Sequence, residues 1–222
     1  MTEQVDRRSD STRLQIIHAA ARLFAEQPYS RVSLDDILTD ASVTKGAMYF
    51  HFRSKHALAS AIVEQRSAEA RSSIAELLAQ RRSGLETLID ICYQIAIDDI
   101  GDELARAGLN LLESVGQSDD LQARVLNEWI DAFARIVEEA AGQGDVREDA
   151  DATAVARLLV SMYLGLRQCS DLADSERFLR ALEAAWSLVI PGFVTDDRRT
   201  YITEFIKRRT VIAIRKAKPL RR

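Results

Sequence analysis

The chain has 222 residues, 47% hydrophobic and 29% charged, the balance of a folded globular protein rather than a disordered one. Nine Gly and three Pro are too few for the turns of a sheet protein, and the two cysteines, Cys92 and Cys169, offer neither a disulfide framework nor a CxxC pair. The polar opening does not have the form of a signal peptide, and no apolar run nears the roughly 20 residues of a membrane span. A cytoplasmic protein without a membrane partner is the expectation.

The formal net charge of −4 hides a strong segregation. Residues 1–60 carry 8 Lys+Arg against 7 Asp+Glu, residues 61–197 carry 12 against 26, and residues 198–222 carry 10 against Glu204 alone. Phosphate would be repelled by the middle, so contact with nucleic acid is expected only from the ends. The terminal basic run (Lys207, Arg208, Arg209, Arg215, Lys216, Lys218, Arg221, Arg222) reads either as a solvated helix face and tail or as an aid to attracting DNA or an acidic partner. Arg7, Arg8 and Arg13 are likewise either a tail or a basic arm.

In chain order, nearly every segment repeats its apolar residues at helical period. A first helix spans about 11–26, with Leu14, Ile17, Ala21 and Phe24 on one face, and Pro28 ends it. Ser33 reads as the N-cap of a short helix over 34–40, with acidic residues in its first turn. After Ala41-Ser42-Val43 comes another short helix at 44–50, and a long one follows from 54 to about 80. Further helices are expected near 84–98, 102–114, 119–141, 151–169, 175–189 and 197–216, broken at Gly101, Gly116, Gly142-Gln143-Gly144, 171–174 and Pro191-Gly192. The fold class is all-α. Residues 1–53 make a three-helix N-terminal domain, and residues 54–222 a C-terminal helical bundle whose first helix leaves the small domain without a flexible linker.

Helix, three-residue turn, short helix over 33–50 is the pattern of a helix-turn-helix. A reading helix must be slim enough for a major groove about 12 Å wide and small or polar on its outward face. Thr44, Lys45, Gly46 and Tyr49 supply that face, while Val43 and Met48 turn inward with Ile37 and Leu38. Lys45 donates to a base edge or phosphate, Tyr49 brings a ring and a hydroxyl, and Gly46 allows close backbone approach.

The stretch Ser33-Leu34-Asp35-Asp36-Ile37, then Ala41 through Lys55, with Met48-Tyr49-Phe50-His51-Phe52 at its centre and Leu58 beyond, resembles the DNA-binding signature of the TetR family of bacterial repressors. The resemblance implies that Thr44, Lys45 and Tyr49 contact DNA from the reading helix, and that Ser33, His51 and Lys55 touch phosphates. His51 reads equally as a structural cap and Lys55 as an ordinary surface lysine. Leu38 stands where the family often has Ala, and Ser42 where it often has Gly. The run 48–52, the segment Arg106-Ala107-Gly108-Leu109 and the pair Glu128-Trp129 are also similar to the γ-butyrolactone receptor branch. In that branch a Trp matching Trp129 lines the signal pocket.

Family likeness implies that the C-terminal bundle binds a small molecule and forms a homodimer. Leu88, Cys92, Tyr93, Leu109, Val125, Trp129, Phe133, Met162, Tyr163 and Leu166 form a set able to enclose a mostly apolar effector, with Tyr93, Tyr163 or the Trp129 indole as polar handles. The same side chains would also serve as a dry core. Helices 151–169 and 175–190 are the natural dimer elements, with Ala181, Ala184 and Ala185 allowing close approach and Leu179, Leu182, Trp186 and Val189 supplying apolar area. Asp98-Asp99 and Glu138-Glu139 read as solvated faces; Arg167 and Gln168 face either the pocket or the dimer seam.

No GxSxG, P-loop or GxGxxG occurs, and the three histidines lack a metal spacing. Neither enzyme, cofactor nor metal is expected. The expected function is a transcriptional repressor held as a homodimer on double-stranded palindromic operator DNA and released by a small apolar effector of γ-butyrolactone type. A regulator of multidrug or acyl-CoA/lipid response, or one with no small-molecule ligand, stands as the alternative.

Overall fold

In the computed structural model, residues 2–79, 82–115 and 120–220 are described, with side chains from residue 10 onward. Among them run ten α-helices: α1 (Thr2–Glu26), α2 (Leu34–Ala41), α3 (Lys45–His51), α4 (Lys55–Leu78), α5 (Gly84–Gly101), α6 (Glu103–Val115), α7 (Leu121–Gly142), α8 (Ala152–Gln168), α9 (Ser175–Val189) and α10 (Asp196–Lys216). A single 3-10 turn, Ile190–Gly192, follows α9, and one isolated antiparallel bridge joins Val146 to Val194. The all-α expectation holds, and all but one of the helices keep the expected bounds to within about three residues. The exception is α1, which starts at Thr2 rather than near Ser11. Residues 2–10 carry no apolar stripe, but adding turns to an existing helix avoids the cost of a new nucleus.

Short polar side chains start these helices. Ser33 Oγ accepts from Asp36 N at 3.1 Å while Asp36 Oδ2 accepts from Ser33 N at 2.8 Å, a reciprocal capping box. The Ser33 hydroxyl also donates to Asp36 Oδ2 at 2.7 Å, and this bond, with the one from Ser33 N, holds the Asp36 carboxyl below its ordinary pKa. Thr44, Asp102, Asp151 and Asp174 cap α3, α6, α8 and α9 in the same way, each accepting from a backbone N–H three residues on.

The chain folds into two compact units. The first draws on the described residues of Met1–Glu69 and Asp102–Ala123. In it α1 lies along α6 and packs on α2 and α3, burying Ile16, Ile17, Phe24, Ile37, Met48, Leu58 and Ile62. Asn110 of α6 donates to the Phe24 carbonyl at 2.9 Å, satisfying an acceptor at the end of α1. Arg22 on α1 and Asp40 on α2 form a surface ion pair at 2.6 Å.

The second unit comprises Ala70–Gly101 with the described residues of Arg124–Arg221. Its central element is α5, buried on most sides through Leu85, Leu88, Ile89, Ile91, Cys92, Tyr93, Ala96 and Ile100, with α10 packed against both α5 and α9. Gly84 is required where α5 meets α7: a Cβ there would lie 2.8 Å from the Ile136 carbonyl oxygen. At the other end, Leu220 N donates to the Ile100 carbonyl at 3.2 Å, so the segment after α10 closes over the last turn of α5.

The turn linking α2 to α3 contains the one strained backbone position in the helix-turn-helix. Ser42 ends α2 with φ 53° and ψ 39°, a left-handed conformation, and its N–H bonds back to the Leu38 and Thr39 carbonyls. A non-glycine residue there costs about 1–2 kcal/mol, partly offset by the entropy that glycine would lose on folding, about 0.5–1 kcal/mol. Ser42→Gly is therefore expected to raise stability by up to about 1 kcal/mol, read as a higher thermal or urea midpoint; a lower midpoint would contradict the account of this turn.

Candidate functional site

A seven-residue helix has little stability of its own. α3 is held by Met48 and Phe52, 1% and 4% exposed, and by the Thr44 cap. Pinning those positions turns the opposite arc outward: Lys45, Gly46, Tyr49 and Phe50 are all exposed. Thr44, at the start of the helix, is exposed too, and a hydroxyl that accepts from Ala47 N at 3.2 Å still carries a proton to donate. At Gly46 a Cβ would meet only Thr44 Oγ1 at 3.9 Å, so nothing inside the chain requires glycine there. Ser33 is exposed at the N-terminus of α2, and His51 is half-buried with its ring edge-on to Phe50 at 5.0 Å. Thr44, Lys45, Gly46 and Tyr49 thus share one surface of α3.

Lys55 is held by its own unit. Its ammonium donates to the Tyr29 and Val32 carbonyls, both at 2.8 Å, and lies 4.0 Å from the Tyr29 ring centroid. Burial lowers its pKa from the ordinary lysine value. Two of its three donors tie the α1–α2 loop to the start of α4, and the third N–H remains for a further acceptor. Arg13 is exposed on α1, its guanidinium 5.4 Å from the Phe52 ring centroid; the side chains of Arg7 and Arg8 lie outside the described residues.

Nine of the ten expected effector residues belong to the second unit; Leu109 lies on α6 in the first. Leu88, Cys92 and Tyr93 on α5, Val125 and Phe133 on α7, and Tyr163 on α8 are buried, whereas Trp129, Met162 and Leu166 are half-buried. Burial pushes the Cys92 thiol up to about 12, so it is a packing residue. The polar handles are already engaged. Tyr93 OH lies 2.6 Å from Thr210 Oγ1, whose own proton goes to the Ile206 carbonyl at 3.1 Å, so the tyrosine donates and keeps its lone pairs. Tyr163 OH donates to Asp99 Oδ2 at 3.2 Å and its ring packs edge-on to Phe178 at 6.2 Å.

Asp99 overturns the reading of Asp98-Asp99 as a solvated face: it is 0% exposed. Arg167 Nε donates to Asp99 Oδ2 at 2.7 Å and Arg167 Nη2 approaches Oδ1 at 3.4 Å, so the last turns of α5 and α8 are joined by a buried ion pair. A signal for it lies in the spacing, because Asp99 continues the buried series Leu85, Leu88, Cys92, Ala96, and Arg167 continues Ala156, Leu159, Val160, Tyr163.

Two family models match the chain: that of bacterial regulatory proteins, tetR family, over residues 16–62, and that of the tetracyclin repressor-like C-terminal domain over residues 82–195. The chain belongs to the TetR family. This is a family of DNA-binding regulators, not enzymes. The A-factor receptor protein of Streptomyces griseus is 32% identical over 179 residues; the match spans 80% of this chain but only 62% of that longer relative. The crystal structure of a γ-butyrolactone receptor (ArpA-like protein) superposes with a TM-score of 0.79 at 33% identity, covering 92% of this chain and 99% of that one. CprB from Streptomyces coelicolor, solved in complex with its biological operator sequence, gives a TM-score of 0.78 at 33% identity, covering 90% and 98%.

For a TetR-family chain, the outer face of α8 and α9 differs from the one expected. Leu179, Leu182 and Trp186 are fully buried within the protomer and cannot supply a dimer surface. Among the residues that α8 and α9 leave outside are Leu158, Gly165, Ala184 and Leu188, the last 82% exposed. The basic run is partly neutralised in its own unit, through Arg198 on Asp145 at 2.6 Å, Arg209 on Asp90, and Lys207 on Glu204 at 2.7 Å; Arg221 and Arg222 lie outside the described residues. Among the described residues no helix is long and apolar enough to cross a membrane, and no group of three His, Cys, Asp or Glu side chains can hold a metal ion.

Two outcomes follow from the interior of the second unit. Arg167→Met removes the counter-ion of the buried Asp99 carboxylate and is expected to cost about 3–5 kcal/mol, while Asp99→Leu with Arg167→Met together recovers most of it; equal losses in single and double variants would show the pair is not what matters. Under native conditions a thiol reagent should modify exposed Cys169 alone, and Cys92 only after unfolding.

Proposed function

We propose that this TetR-family regulator is a homodimeric repressor that grips an inverted-repeat operator with two copies of α3 and releases it when a small, mostly apolar signal of γ-butyrolactone type occupies the C-terminal part. Residues 1–53 act as the DNA-reading domain and residues 54–222 as the domain for signal and dimer. The observation that carries the reading is the exposed ridge of Thr44, Lys45, Gly46 and Tyr49 on a helix anchored from behind by Met48 and Phe52. Operator-bound CprB has the same fold at 33% identity. Lys45 and Tyr49 make the principal contacts; Ser33 and His51 approach phosphates. An operator-binding repressor works in the cytoplasm, beside the chromosome.

The signal class is inferred from the likeness to γ-butyrolactone receptors. Trp129, half-buried on α7, is its reading residue, and Leu88, Cys92, Tyr93, Val125, Phe133, Met162, Tyr163 and Leu166 supply the apolar surroundings. The Tyr93 oxygen, which keeps its lone pairs, is a ready acceptor for a ligand hydroxyl. For binding to release DNA, the signal must prefer the state in which the two α3 copies are badly spaced for a groove repeat of roughly 34 Å. The coupling is reciprocal: operator weakens signal binding by the same factor. Dimerisation uses the outer face of α8 and α9 around Leu158, Ala184 and Leu188.

Fluorescence anisotropy with the DNA upstream of the chain's own gene tests the first half. Lys45→Ala and Tyr49→Ala should each weaken binding about tenfold or more, and affinity should fall steeply with salt. Unchanged affinity in both variants would remove α3 from the interface. Trp129→Ala should keep DNA binding while losing release by γ-butyrolactones of graded alkyl length; release undiminished in the variant would remove Trp129 from the signal site. Leu188→Asp should shift the protein to a monomer by light scattering and lose operator affinity with it.

A further inference from the structure

Phe50 is 78% exposed, whereas Met48 on the same helix and Phe52 at its C-cap are buried. It performs no packing task in the core of its unit. Successive residues turn by about 100° around a helix, which puts Phe50 next to Gly46 on the same face, one turn later. Side chains on a helix lean toward its N-terminus, so Phe50 leans toward position 46, where there is no side chain and where no ring atom comes within 4 Å of a Cβ position. Open space surrounds Gly46 apart from Thr44 Oγ1. The His51 ring stands against Phe50 at 87°, limiting its swing. The outcome is a small apolar shelf, ring above and bare backbone below, at one edge of an arc whose other edge is the Lys45 amine.

Resting on the DNA-binding reading above, we propose that Phe50 is a specificity-determining residue which, with Gly46, receives the 5-methyl group of one thymine in each operator half-site. Base edges in the major groove present donors, acceptors and a single apolar group, the thymine methyl. A polar edge set against this shelf would lose its water and gain no partner, so the shelf selects thymine and rejects cytosine. Lys45 and Phe50 are five residues apart, about 7.5 Å along the helix axis. For a helix lying along the groove, the methyl then sits about two base steps, of roughly 3.4 Å each, from the base or phosphate met by Lys45.

Selection of binding sites from a random duplex pool by the full-length protein, followed by affinity measurement on the enriched sequence, tests this. Wild type should enrich an inverted repeat with a thymine in each half. Replacing that thymine by deoxyuridine removes only the methyl and should weaken wild-type binding about fourfold per half-site. Phe50→Ala should bind the thymine and deoxyuridine duplexes equally and lose its preference at that position alone, while Phe50→Leu keeps a preference. Circular dichroism melting confirms that each variant is folded. A deoxyuridine penalty of the same size in Phe50→Ala, or no penalty in wild type at any thymine, overturns the assignment while leaving the DNA-binding reading intact. A wild-type protein that enriches no sequence at all removes both.

Discussion

The exposed arc of α3 depends on burying one side chain of a helix too short to stand alone and another at its C-cap. α3 has seven residues, and what fixes it is Met48 and Phe52 pressed into the first unit together with the hydroxyl of Thr44 on its first turn. Every outward residue of α3 takes its direction from that anchorage. Lys55 holds the α1–α2 loop to the start of α4 with two hydrogen bonds and a ring contact. A surface built this way is pre-formed, so the entropy of ordering it is met at folding rather than at binding.

The second unit answers to a different constraint. α5 is buried on most of its sides, so a polar group on it must find a partner inside. Tyr93 finds Thr210, and Asp99 finds Arg167 and Tyr163. These bonds tie α5 to α10 and α8 at fixed registers, which apolar packing alone specifies less sharply. The ion pair lies in the last turn of α5, where Leu220 N also bonds to the Ile100 carbonyl. Several directional bonds therefore converge just before the chain leaves the second unit at Gly101 and enters the first at Asp102.

Charge segregation gains a physical meaning from the same contacts. Part of the basic excess of α10 is matched by Asp90 and Asp145, which lie far away in sequence but within the same unit. Counting charges along the chain cannot reveal such matching, because an ion pair needs separations of a few ångströms that only folding provides.

The all-α class, the helix bounds apart from the start of α1, the helix-turn-helix and its outward residues were legible from the chain alone, because they rest on local physics: apolar period, capping residues and turn chemistry act over three or four positions. The likeness in residues 33–58 was legible for the same reason, since a groove-reading helix constrains residue type position by position. Tertiary structure alone decided that the apolar face of α9 is buried within its own chain, that Lys55 bonds two carbonyls, that Asp99 is inside, and that α6 joins the unit containing α1. Each depends on which distant segment packs against it. A periodic stripe says that a face is buried, but not against what, and Leu179 or Trp186 looks the same in sequence whether it meets its own chain or a second copy.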